Sequence, residues 1–362
     1  MSATTAADRE SSSPVHDSVA HLPPGYFAAV MGTGIVSIGL HAAGVSGASV
    51  ALMWAAAVLY VVLWALYLWR AIAFWHRVVA DLRDPQIAFA YFTVVAATDV
   101  LGVRLAQEGL NAVAIPLFLF AALIWFVFGY VLPWQVMMTR DGKPILARAN
   151  GTWFIWAVAS QSLAIGMAQL RPQVDSVFAS WVGLLAVLAW SVGVILYAAM
   201  AMLVLLRVVH HGVTAEQFDP AYWVAMGALA IAVVAGAAIV QMEHTPLVDA
   251  VRPLIAATVV IFWVFCLWLI PLLVGAGFWR HVLHRVPLRY VPSLWSMVFP
   301  MGMFAVASLS LGEADALPAA GTVGGVALVV AVIVWAVVSI GMLHRLLTVL
   351  AGSLRQRASG RS

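Results

Sequence analysis

Ten apolar runs alternate along the chain with short polar links. A hydrocarbon layer of about 30 Å is crossed by about 20 helical residues. Runs of that order lie at 24–43, 49–73, 86–106, 111–133, 150–170, 176–206, 221–241, 253–278, 292–311 and 319–347. Each predicts a membrane-spanning helix. Spans six and ten exceed the required length, so they are expected to tilt or to project beyond the bilayer.

The spans are of two kinds. The odd ones open alike, with PPGYFAAVMGTG, DPQIAFAYFTVV, ANGTWFIWAVAS, DPAYWVAMGALA and VPSLWSMVFPMG. Four start on a proline followed within a turn by an aromatic, and span five has Asn-Gly in its place. Proline in a first helical turn forgoes a donor that has no partner there anyway, so it marks a helix start. The even spans lack this opening and carry bulky apolar sequence such as VVLWALYLW, suited to lipid. The repeat predicts an all-α integral membrane fold, ten helices arranged as five hairpins of one orientation. The odd helices would form an inner ring around a central pore, and the even helices an outer ring.

Composition agrees with a membrane class. Of 362 residues, 64% are hydrophobic and 9% charged, which excludes an ordinary soluble domain. The single cysteine, Cys266, excludes an internal disulfide and a cysteine-based metal cluster. Residues 1–20 are polar and Ser-rich, without the apolar core of a signal peptide, and are expected to be a disordered cytoplasmic tail. Residues 21–350 are expected to form the transport domain and 351–362 a basic cytoplasmic tail.

Charge placement sets the expected orientation. The links after spans two, four, six and eight hold Arg77 and Arg83; Arg140, Lys143 and Arg148; Arg207, His210 and His211; and Arg280, Arg285 and Arg289. The other links are mainly acidic, and of 18 basic residues only Arg104, Arg171 and Arg252 fall there. By the positive-inside rule both termini are cytoplasmic, with the chain in the plasma (inner) membrane.

Polar and small residues concentrate in the odd spans. Thr33, Ser37 and His41 are spaced by four in span one, which also holds Gly32. Thr98 and Asp99 lie in span three, Ser160 in span five, and Gly302 and Ser308 in span nine. Small residues also serve close helix packing, and hydroxyls also bond their own helix. Their concentration on the odd helices points to a narrow, mildly polar pathway lined by Gly32, Thr33, Ser37, Thr98, Asp99, Ser160, Gly302 and Ser308. A pathway with no ring of carboxylates suits anions or neutral solutes. Asp99 stands out, because an ionisable group within the membrane is costly; proton coupling and a structural hydrogen bond are its two readings. Arg104, five residues on, is expected to point away from it. His210-His211 has no second ligand group at a metal-binding spacing, and no metal or cofactor is expected. In span nine, Phe299-Pro300 places an aromatic beside a helix kink, either as a plug or as a packing residue.

The segments LPPGYFAAVMGTGIVS, DLRDPQIAF and WSMVFPMG together resemble the tellurite-resistance/C4-dicarboxylate transporter family. That family includes yeast malate and sulfite transporters and plant guard-cell slow anion channels. The resemblance covers residues 21 to 350. It implies five hairpins around a central pore, often as a homotrimer, and a phenylalanine blocking the pore in the ninth span, matched here by Phe299 with Pro300 beside it. It also implies small inorganic or dicarboxylate anions as partners, C4-dicarboxylates such as malate first, and no nucleic acid. The alternatives are a passive Phe-gated channel for chloride or nitrate, and tellurite or sulfite export. Asp99 departs from the neutral residue of many relatives, which puts plain channel behaviour in doubt. An intramembrane enzyme is the distant alternative; the sequence has no HExxH, no GxSxG and no carboxylate cluster to support it.

Overall fold

The computed structural model describes residues 14–138, 144–243, 246–313 and 318–359. Ten helices are long and apolar enough to cross a membrane: Pro24–Ala42, Ser46–Ala73, Ala88–Gln107, Asn111–Met138, Gly151–Gln173, Val177–His211, Pro220–Val240, Pro246–Leu283, Pro292–Glu313 and Pro318–Gly352. These are spans one to ten, and the protein is a multi-pass membrane protein. No strand occurs among the described residues. The odd spans have 19 to 23 residues and the even ones 28 to 38, so all five even spans, and not only six and ten, exceed the length the bilayer requires.

Each odd span opens with a tight 3-10 turn before the α-helix: Pro24–Phe27, Ala88–Phe92, Gly151–Trp153, Pro220–Trp223 and Pro292–Leu294. The shared opening phrase therefore encodes a turn as well as a start. Two of these turns are capped, the Asn150 side chain accepting from Thr152 N–H and Asp219 from Ala221 N–H.

Burial separates the two kinds of helix. The most apolar windows of the odd spans are 67 to 100% buried, and those of the even spans 17 to 28%. The exposed faces of the even spans carry residues such as Ile72, Leu123, Ile195, Trp268 and Ile340. Such surface is stable against lipid and costly against water. Each odd span packs on the even span that follows it, and span one packs on three, three on five, five on seven, seven on nine, and nine on one. Pro300 lies within the continuous helix Trp295–Glu313, its ring seated against Gly227 of span seven, where a Cβ would come within 2.7 Å of it.

The expected N-terminal tail lies outside the described residues as far as residue 13; Pro14–Ala20 is helical, with Val19 and Ala20 buried. At the other end, the helix of span ten continues to Ser359. Arg140, Lys143 and Arg361 lie outside the described residues.

Candidate functional site

The side chains along one face of each odd helix recur at intervals of three and four, the period of a helical face. On span five the face runs Ile155, Val158, Ser162, Ile165, Gln169; on span nine, Ser296, Phe299, Met303, Val306, Ser310. On span one it includes Ala28, Met31, Ile35 and Ile38. These faces border three spaces. A vestibule of about 450 Å³ lies at the N-terminal ends of the odd helices (the N-side vestibule), and one of about 310 Å³ at their C-terminal ends (the C-side vestibule). All five odd spans contribute to both.

Between them is a void of about 10 Å³ bordered by Phe299 with Ala28, Met31, Thr93, Ile155, Val158, Val224 and Ser296. The order of positions along spans one, five and nine places it there. A water needs about 10–15 Å³ of such volume together with polar partners. This layer is mostly apolar and has room for one water at most. Phe299 is 2% exposed. Phe304, five residues on, borders none of these spaces.

Most of the polar residues singled out by sequence are turned elsewhere. Thr33 accepts a hydrogen bond from Trp335 Nε1 at 3.1 Å, Ser160 from Trp125 Nε1 at 2.9 Å, and Ser308 from Trp263 Nε1 at 2.9 Å. Thr98 Oγ1 lies 2.9 Å from the Tyr60 hydroxyl and donates to Val94 O. Ser37 pairs with Ser49 and accepts from Arg104 Nε at 2.9 Å. Gly32 faces Trp295 and Val298, and Gly302 faces Ile35. These seven residues contact neighbouring helices and do not border the vestibules. The physical reason is that a hydroxyl buried in lipid needs a partner, and aromatic N–H and O–H groups of the outer helices need acceptors in turn. Of the expected lining residues, Asp99 borders a vestibule, and Ser162 and His41 join it on the C-side.

A repeat that sequence reading missed emerges from these bonds. An aromatic donor on each even span reaches the odd span that follows: Tyr60 to Thr98, Trp125 to Ser160, Trp190 Nε1 to Ala232 O at 3.1 Å, and Trp263 to Ser308. Trp335 of span ten returns to Thr33 of span one and closes the series. These donors lie deep within their even spans, in VLYVV, LIWFV, LAWSV, IFWVF and IVWAV, but in four of the five spans other Tyr or Trp residues accompany them, so the sequence does not single them out. At span seven the acceptor is a backbone carbonyl, which no side-chain pattern reveals.

The vestibules differ in charge. The N-side is lined by Arg148 and Arg207 together with Glu216 and Asp219. Arg207 is buried and donates to Gly212 O, Tyr222 Oη and Gln217 Oε1. Arg148 stands 3.9 Å from Asp84. Burial pushes the Asp219 carboxyl above its ordinary range, against the opposing pull of Ala221 N–H, Ser293 and Arg280. The C-side is lined by Asp99, Glu313 and His41, with no Lys or Arg among its described lining residues. Asp99 is fully enclosed; its Oδ2 accepts from Ser162 Oγ at 2.9 Å. Its Oδ1 has no hydrogen-bond partner and lies against Gly166, where a Cβ would approach it to 2.7 Å. Arg104 points away from it, onto Ser37, Ser49 and Glu108.

Residues 21–343 match the SLAC1 family, described as voltage-dependent anion channel. The chain belongs to this family, which fits the expected kinship with slow anion channels. It is 45% identical over 160 residues to an uncharacterized membrane protein of Mycobacterium tuberculosis, covering 44% of this chain and 81% of that protein. It is 25% identical to an uncharacterized transporter of Methanocaldococcus jannaschii over 298 residues, 81% of this chain and 84% of the relative. A second uncharacterized transporter of that organism is 25% identical over 285 residues, 77% of this chain and 81% of the relative.

Proposed function

We propose that this member of an anion-channel family carries small anions between its two vestibules, with C4-dicarboxylates such as malate as first candidates, and that Phe299 is the gate. The observation behind this reading is the tight layer containing Phe299, with a void of about 10 Å³, between vestibules of about 450 and 310 Å³. A ring in a narrow lumen blocks by bulk, and an apolar constriction also excludes water. Pro300 packs on Gly227, so the neighbouring helix supports the wall while the phenylalanine ring turns.

In this reading the odd helices form the inner ring, both termini are cytoplasmic, and the N-side vestibule opens to the cytoplasm of a cell bounded by the plasma membrane. The basic links on that side, which include Arg77, Arg83, Arg280, Arg285 and Arg289, then raise the local anion concentration at the inner mouth. The assembly is proposed to be a homotrimer, with each protomer holding its own pathway. Purified protein in liposomes tests the reading: flux of a panel of anions, confined to sealed vesicles and increased in Phe299→Ala, is the expected result. Absence of flux for every anion in both proteins contradicts it.

A further inference from the structure

Phe299 has a hydroxyl beside it on the N-side. Ser296 precedes it by three residues in the helix Trp295–Glu313, on the same helical face and about 4.5 Å nearer the N-side along the axis. Toward the C-side the next residue of that face is Met303. Thr93, Ile155 and Ser296 border both the N-side vestibule and the tight void at Phe299. They mark the threshold at which a solute leaves a space of about 450 Å³ and meets one of about 10 Å³. An ion crossing that threshold sheds water.

Only one hydroxyl at the threshold is free to donate. Thr93 donates to Ala90 O at 2.7 Å, within its own helical turn. Farther out in the vestibule, Thr152 bonds Gln86 O and Asn150 Oδ1, and Ser293 bonds Asp219. Ser296 is half-buried, and its side chain has no hydrogen-bond partner among the described residues. Serines in membrane helices ordinarily bond a carbonyl of their own helix, as Ser160 and Ser308 bond Trp156 O and Phe304 O. Ser296 departs from that habit at the place where an anion loses its water.

An apolar constriction alone ranks anions by the cost of taking them out of water, so diffuse ions pass ahead of compact ones. We propose that Ser296 is a specificity-determining residue whose hydroxyl donates to the anion at the threshold of the Phe299 layer. The bond replaces a water that the anion sheds there. It favours compact, strongly accepting anions, such as carboxylates and chloride, over diffuse ones such as thiocyanate. The donor is uncharged, so the anion is held without being trapped, as conduction requires. The inference rests on the transport reading above.

Chloride and thiocyanate have equal charge and no proton to give, and they differ in how strongly they accept hydrogen bonds. Their fluxes are compared in liposomes holding the full-length protein, with the membrane potential clamped and the leak of protein-free vesicles subtracted. The comparison is made in wild type and again in Phe299→Ala, so that a closed gate does not hide the ratio. Ser296→Ala is expected to raise the thiocyanate-to-chloride ratio by about tenfold, the size of one charge-assisted hydrogen bond. Ser296→Thr, which keeps the hydroxyl and adds bulk, is expected to retain the original ratio, a result that a change of packing alone does not give. Ser296→Cys, a weak donor of similar shape, should behave as the alanine variant does and replaces it if that protein does not fold. An unchanged ratio in folded Ser296→Ala, or the same raised ratio in Ser296→Thr, overturns the inference alone. Absence of flux for both ions in wild type and in Phe299→Ala overturns the transport reading beneath it.

Discussion

Trp263 of span eight donates its indole N–H to Ser308 of span nine at 2.9 Å, and Ser308 in turn donates to Phe304 O at 2.8 Å. Both residues are buried, Ser308 completely. The bond joins an outer helix to the inner helix that carries Phe299. Interhelical hydrogen bonds within membranes are worth about 0.6 to 2 kcal/mol. Trp263→Phe is therefore expected to lower stability in detergent by about that amount. Ser308→Ala should cost at least as much, because it leaves the buried Trp263 indole N–H without its acceptor. A double-mutant cycle by thermal or denaturant unfolding measures the coupling; a coupling of zero would mean that the bond contributes nothing.

Asp219 tests a loop at the N-side mouth. Its side chain accepts from Ala221 N–H at 2.6 Å, and burial holds its carboxyl above the ordinary range. A carboxyl raised in the folded state contributes stability that is fully present below its unfolded pKa and is lost as pH rises through the folded value. Asp219→Asn retains an acceptor for the cap and removes this dependence. Its stability relative to wild type should therefore increase from acid toward neutral pH. Asp219→Ala should instead lose about 1 kcal/mol with the cap. Melting temperatures of the three proteins across that pH window check both signs.

Orientation is tested by reporter fusions. A fusion between residues 140 and 148 and one between residues 243 and 249 lie in links on opposite ends of the helices. The basic composition of the first predicts a cytoplasmic signal, and the acidic composition of the second an external one. The same side for both would contradict the ten-span topology.

The ten helices were legible because the bilayer imposes one length scale and removes strand edges as an alternative. Span limits agree closely, as at 24–43 against Pro24–Ala42 and 49–73 against Ser46–Ala73. The lining was much less legible. Polarity suggested Thr33, Ser37, Thr98, Ser160 and Ser308, yet these satisfy donors or acceptors on neighbouring helices. A hydroxyl in a membrane helix is drawn to whatever bonds it, so polarity alone does not identify the lumen. The vestibules are instead bordered by a largely apolar stripe at helical spacing, in which Ser162, two residues from Ser160, borders the C-side. Period without polarity could not select that face, because the odd helices are largely buried and carry apolar residues on several sides. Gly32 and Gly302 carried the packing meaning of small residues, as seats for Val298 and Ile35.

The account centres on Phe299, and a comparison of anion flux in Phe299→Ala with wild type and Phe304→Ala tests it most directly. Turning an aromatic ring out of a packed layer costs about 1–3 kcal/mol in strain and lost contacts. Removing the ring should accordingly raise flux by about tenfold to a hundredfold. Phe304 is buried but borders neither vestibule nor the void between them, so its replacement should leave flux near the wild-type value once folded protein is matched. Phe299→Leu, which keeps bulk without the flat ring, should fall between. Equal flux in wild type and Phe299→Ala, at equal amounts of folded protein, would contradict the gate.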